Sequence, residues 1–131
     1  MVTEQELQKD VADYQGLQQQ MQVILLQKQQ VMLQEAENTR AAEALQKAVE
    51  GQQIYRLSGT VLVPRSKPDL KKELDEEGES IKMRKDVLAK QEARLKAAME
   101  KLRAKFEQLE KDAKTGGGPL FGSDDTGSVS G

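Results

Sequence analysis

The sequence predicts a mainly α protein: a long antiparallel two-helix coiled coil with a central β-hairpin that completes a sheet or barrel with hairpins of other chains. Three observations lead there. Leu74, Ile81, Leu88, Leu95, Leu102 and Leu109 fall at every seventh position, the repeat of a helix that buries one seam. An earlier run, Leu17, Met21, Ile24, Lys28, Val31, Glu35, Asn38, Ala42, Leu45 and Val49, steps by alternating fours and threes. Between them, residues 52–65 carry β-branched and aromatic side chains close to alternation, with Ser58-Gly59 midway. Gly tolerates the positive φ that a tight hairpin turn requires.

The first helix is predicted over residues 3–50. Thr3 or a neighbour opens it, and Glu4 and Glu6 suit its positive N-terminal end. Lys28, Glu35 and Asn38 interrupt the seam, which costs stability and can fix register. The Gln-rich run from Gln15 to Gln34 keeps its apolar period, so it reads as a solvated helix face and not as a low-complexity tract. Gly51 is expected at C′, just past the helix end.

The hairpin is predicted within residues 53–65, with strands at 53–57 and 60–65. A lone two-stranded hairpin is marginal in water, and its edges invite pairing with another chain. Ile54, Tyr55, Leu57, Val61, Leu62 and Val63 put apolar surface on both faces, more than one helix pair can cover. They are the candidate oligomerisation surface of an obligate oligomer. Pro64 must lie at an edge or a strand end.

The second helix is predicted over residues 67–114. Ser66 supplies a capping hydroxyl and Pro68 suits the first turn. Leu70, Met99 and Phe106 thicken its leucine stripe, while Gly78 costs about 1 kcal/mol relative to Ala and is expected to mark a bend. Each helix spans roughly 70 Å at 1.5 Å per residue. Equal lengths about a short connector predict an antiparallel pair whose free ends meet at a distal tip. Residues 1–114 thus form one coiled-coil domain, and 115–131 a disordered Gly/Ser/Asp tail.

Composition agrees with this architecture. In 131 residues, 32% are charged and 3% aromatic, and mean hydropathy is -0.71. That is too polar for a conventional globular core and fits helices burying a narrow seam. Residues 1–50 hold 4 Lys/Arg against 8 Asp/Glu, residues 65–114 hold 15 against 12, so an acidic helix faces a basic one. Without a dense basic stripe interleaved with aromatics, neither nucleic acid nor membrane is an expected partner.

Cysteine and histidine are absent, which removes disulfides, the usual nucleophile–base pairs and transition-metal sites. No GxxxxGK[ST], GxGxxG or HExxH occurs. Asp75-Glu76-Glu77 reads as a solvated helix face, and no strand precedes Gly116-Gly117-Gly118 to make a phosphate loop. The expectation is a non-enzyme with no metal or cofactor. No apolar run approaches the roughly 18 residues of a membrane span and no signal peptide is evident, so a soluble cytoplasmic protein is expected.

The runs YQGLQQQMQVILLQKQQVMLQ (14–34) and IYRLSGTVLV (54–63), in helix–hairpin–helix order, resemble the β-class subunit of prefoldin, of archaeal type and similar to the eukaryotic β-type subunits. The resemblance covers about residues 5–112. A single hairpin is similar to the β class and unlike the α class; Pro64 and the long tail depart from the pattern. What the resemblance implies is an ATP-independent chaperone. Two α-class and four β-class subunits would build a β-barrel platform, with coiled coils whose tips hold unfolded polypeptides and pass them to a group II chaperonin. Client binding is then expected at Leu7, Val11 and Tyr14 on the first helix and Met99, Leu102, Phe106 and Leu109 on the second, as apolar groups left over after pairing. The alternative is a coiled-coil scaffold without chaperone activity.

Overall fold

In the computed structural model, which describes residues 2–116, the chain runs through helix α1 (Glu4–Lys47), strands β1 (Ile54–Ser58) and β2 (Val61–Arg65), and helix α2 (Lys67–Gly116). Two long helices with one antiparallel hairpin between them match the predicted fold class. The expected tail lies outside the described residues from 117 onward, and 115 and 116 belong to α2.

Both helices start where their caps predict. Thr3 Oγ1 accepts from the Glu6 N–H at 3.1 Å, and Ser66 Oγ accepts from the Asp69 N–H at 3.2 Å. Each bond satisfies one of the donors left free in a first turn. Pro68 sits in that turn of α2, where a missing N–H costs nothing.

The end of α1 differs from expectation. It stops at Lys47, three residues short of residue 50, and Gly51 (φ 83) lies in the connecting turn and not at C′. Local bonds account for this. The Gln52 side-chain oxygen accepts from the Val49 N–H at 2.9 Å, and the Gln52 N–H returns to the Val49 carbonyl at 3.0 Å. The Lys67 ammonium donates to the carbonyls of Ala48 (3.0 Å) and Gln46 (3.4 Å), satisfying acceptors at the α1 end. Val49, expected in the seam, is 71% exposed as a result.

The helices contribute to two compact units. In residues 23–91 the core is a single line of side chains: Ile24, Val31 and Leu45 from α1, and Leu70, Leu74, Ile81 and Leu88 from α2, all buried. Leu45, Leu70 and Leu74 form one cluster within it, against which Ile54 of β1 packs. Ala42, predicted in the seam, is exposed. Polar seam positions make directed contacts. The Asn38 amide donates across the helix pair to the Leu74 carbonyl at 3.0 Å, and Glu35 meets Lys85 at 2.9 Å.

Gly78 finds its reason here. A Cβ at this position would stand 3.2 Å from Asn38 Oδ1, so its missing side chain leaves room for Asn38 to approach α2.

The other unit, residues 2–22 with 92–116, has a looser seam. Leu17, Met21, Leu95 and Leu102 are half-buried, so the heptad line continues with less cover.

Candidate functional site

The hairpin turns on Gly59-Thr60, one residue later than the expected Ser58-Gly59, because Ser58 pairs with Val61. Gly59 has φ 62 and no non-glycine residue among those described has positive φ. Positive φ at the first of two turn residues alone is the type II′ pattern, which favours Gly there.

The register then assigns every side chain to a face. Ile54↔Arg65, Arg56↔Val63 and Ser58↔Val61 share one face; Tyr55↔Pro64 and Leu57↔Leu62 share the other. The first face turns to the helices. Ile54, Arg56, Val63 and Arg65 are half-buried there, while Ser58 and Val61, beside the turn, are exposed, Val61 to 60%. The second is apolar and uncovered: Tyr55 is 52% exposed, Leu57 66% and Leu62 62%, with Pro64 exposed beside them. Of the six predicted oligomerisation residues, Ile54 and Val63 thus serve mainly the chain's own packing. Tyr55, Leu57, Val61 and Leu62 present free surface. Taking large apolar side chains fully out of water contributes on the order of 1.5–3 kcal/mol each.

Four charges hold the hairpin to α2. Arg56 donates to Glu73 at 2.8 Å and also pairs with Glu77, while Arg65 Nε donates to the second Glu73 oxygen at 2.8 Å. Its hydrogen bonds to Glu77, first, and to Glu73 raise the Arg56 pKa above its usual value. The bond from Arg56, followed by that from Arg65, lowers the pKa of Glu73. A depressed carboxylate pKa means that the anchor is in place above the ordinary carboxylate range and is lost as pH falls through the folded-state value. Glu77 therefore belongs to this anchor and not to a purely solvated acidic face as expected. Asp75 meets Lys71 at 2.8 Å on the helix surface. Among the described residues no group of three or more acidic side chains is arranged to hold a metal ion, and no helix is long and apolar enough to cross a membrane.

The predicted client-binding residues Leu7, Val11, Tyr14, Met99, Leu102, Phe106 and Leu109 all fall in the unit holding both helix ends, and all are half-buried. Tyr14 and Phe106 stack edge to face, centroids 5.8 Å apart at 68°, and the Tyr14 hydroxyl accepts from Arg103 Nη2 at 3.0 Å. Lys105 pairs with Asp10, which raises the lysine pKa. These two rings therefore help close the helix pair, and part of their surface is spent on it.

Sequence reasoning passed over a set of apolar side chains in the other unit. Val23, Leu25, Leu26, Met32 and Leu33 on α1, and Met83 and Val87 on α2, are 44–67% exposed. The signal was in the apolar runs 23–26 and 31–33, which hold more than one seam can use.

A family model described as "Prefoldin subunit" matches residues 8–113. The prefoldin subunit beta of Thermococcus onnurineus is 33% identical over 102 residues, covering 78% of this chain and 88% of that protein. The prefoldin subunit beta of Archaeoglobus fulgidus is 34% identical over 104 residues, covering 79% and 90%. The crystal structure of the prefoldin beta subunit from Thermococcus strain KS-1 superimposes with a TM-score of 0.74 at 27% identity, over 83% of this chain and 95% of that one.

Proposed function

Because the chain belongs to the prefoldin subunit family, with its similarity falling in the β class and its role that of a chaperone component in a multi-subunit complex, we propose that it is an ATP-independent holdase subunit. Its hairpin joins those of other subunits in a β-barrel of two α-class and four β-class chains. The helix ends hold unfolded polypeptide in the cytoplasm and pass it to a group II chaperonin.

The observation that carries this reading is the uncovered hairpin face, Tyr55, Leu57 and Leu62, fixed to α2 through Arg56 and Arg65. A lone hairpin has little reason to keep such a face in water. Half-buried Leu7, Val11, Met99, Leu102 and Leu109 suit the second task. Apolar contact is non-directional, so it does not discriminate among unfolded sequences, and methionine adapts to varied shapes. Several weak ends on one platform gain by effective concentration.

A scaffold reading draws on Leu26 and Leu33, 61% and 63% exposed and seven residues apart on α1, a spacing that suits a further helix. One assay separates the two. The chain, assembled with an α-class prefoldin subunit, is expected to suppress aggregation of a chemically denatured, unrelated protein equally with and without ATP. Aggregation at the unprotected rate would favour the scaffold.

A further inference from the structure

One stretch of α1 is out of keeping with the rest of the chain. Residues 23–34 hold a single charge, Lys28, in a chain that is 32% charged. They also leave Val23, Leu25, Leu26, Met32 and Leu33 between 44% and 63% exposed. Ile24 and Val31 are buried in the seam, so these five are surplus to the pairing with α2. An apolar patch of this kind marks a surface that meets something.

The helical period sorts the exposed groups into rows. Leu25 and Met32 form one, Leu26 and Leu33 another, each pair seven residues and about two turns apart. The rows stand roughly 100° apart around the axis, one flanking the Ile24–Val31 line and one opposite it. Gln29 and Ala36, both exposed, lie between them.

A partner helix fits this face poorly. Its seam would need a second apolar row at steps of three and four from the first. Between Leu25 and Met32 those steps fall on Lys28 or Gln29, and between Leu26 and Leu33 on Gln29 or Gln30. Any further helix would bury one of these polar groups at the middle of its seam, which is costly without a partner.

An extended polypeptide fits it better. Its side chains alternate to opposite sides, so a chain laid along α1 over Gln29 reaches both apolar rows at once. The Gln29 side-chain amide donates and accepts as a peptide group does, and so meets a backbone of any sequence. Residues 23–36 run roughly 20 Å along the helix, room for about six extended residues at about 3.3 Å each.

We propose that this strip of α1 is a second client-holding surface, taking an extended, uncharged segment of unfolded polypeptide along the Leu25–Met32 and Leu26–Leu33 rows. It belongs to the unit of residues 23–91, whereas Leu7, Val11, Met99, Leu102 and Leu109 belong to the unit with the helix ends. The inference rests on the holdase reading and adds a contact to it. A client caught at the helix ends gains a further grip by effective concentration, while so short a contact is weak on its own.

Photo-crosslinking tests it without altering either row. The full chain carrying p-benzoylphenylalanine in place of Gln29 is assembled with an α-class prefoldin subunit. The probe is α-lactalbumin kept unfolded by reduction and iodoacetamide. Irradiation is expected to join position 29 to α-lactalbumin, and the same group in place of exposed Glu79 on α2 far less. In parallel, Leu25→Gln, Leu26→Gln, Met32→Gln and Leu33→Gln together keep uncharged, helix-forming side chains. This fourfold variant should assemble at native stoichiometry and bind α-lactalbumin at least about threefold more weakly, through faster release. Unchanged affinity, or no cross-link from position 29 while the native complex binds, would overturn the strip and leave holding at the helix ends intact. Cross-links from position 29 to a subunit instead, or loss of assembly in the fourfold variant, would make the occupant a partner chain and overturn the choice of client. Failure of the native complex to bind α-lactalbumin at all would overturn the holdase reading, and the strip with it.

Discussion

Changing Leu57 and Leu62 together to Asp is expected to abolish assembly while leaving both helices formed. The pair lies on the uncovered face, 66% and 62% exposed, with the two residues directly opposite in the register. Losing the burial of two leucines removes about 3–6 kcal/mol from association, and burying carboxylates costs more. Affinity for the partner subunit should fall by at least about a thousandfold. Native mass spectrometry reads the complex and far-UV circular dichroism reads the helices. A complex persisting at native stoichiometry would remove this face from the interface. The structure makes this a cleaner experiment than changing Val61 and Val63, since Val63 is half-buried on the face that meets the helices. There an Asp would disturb the hairpin's seat along with any interface.

Leu74→Ala is expected to destabilise the chain by about 2–5 kcal/mol, the range for a buried leucine reduced to alanine. Leu74 is 5% exposed, packs with Leu45 and Leu70, and supplies the carbonyl that receives Asn38. Because Ile54 rests on the same cluster, the hairpin's seat should loosen with it. Urea unfolding followed by circular dichroism gives the change; a midpoint within error of the native chain would take Leu74 out of the core.

The parts of this fold that were legible in the sequence are those with a period. Leu74, Ile81 and Leu88 repeat every seventh residue and are buried in order. Thr3 and Ser66 declared both helix starts because a cap acts within one turn. What escaped depended on bonds between residues distant in sequence or on a choice among equivalent turns. Lys67 reaching Ala48, 19 residues back, helps end α1 before Val49. Ser58-Gly59 and Gly59-Thr60 both place a glycine in the turn, yet shifting by one residue exchanges the two faces of a strand. The division of Ile54 and Val63 from Tyr55 and Leu62 was therefore hidden. So was the anchor, since Arg56 and Glu73 are 17 residues apart. In the client-binding set, the identity of Tyr14 and Phe106 was visible and their mutual contact was not.

On the proposed function, assembly and client holding reside in different parts of the chain: the hairpin assembles, the helix ends hold. The most direct measurement removes residues 2–12 and everything after Ala104, then follows both properties of the resulting complex with an α-class subunit. This deletes Leu7, Val11, Phe106 and Leu109 and leaves residues 54–65 untouched. The expected result is a complex of native stoichiometry by native mass spectrometry that no longer suppresses aggregation of a denatured protein. Full suppression by that same intact complex would contradict it and would mean that clients are held elsewhere on the chain.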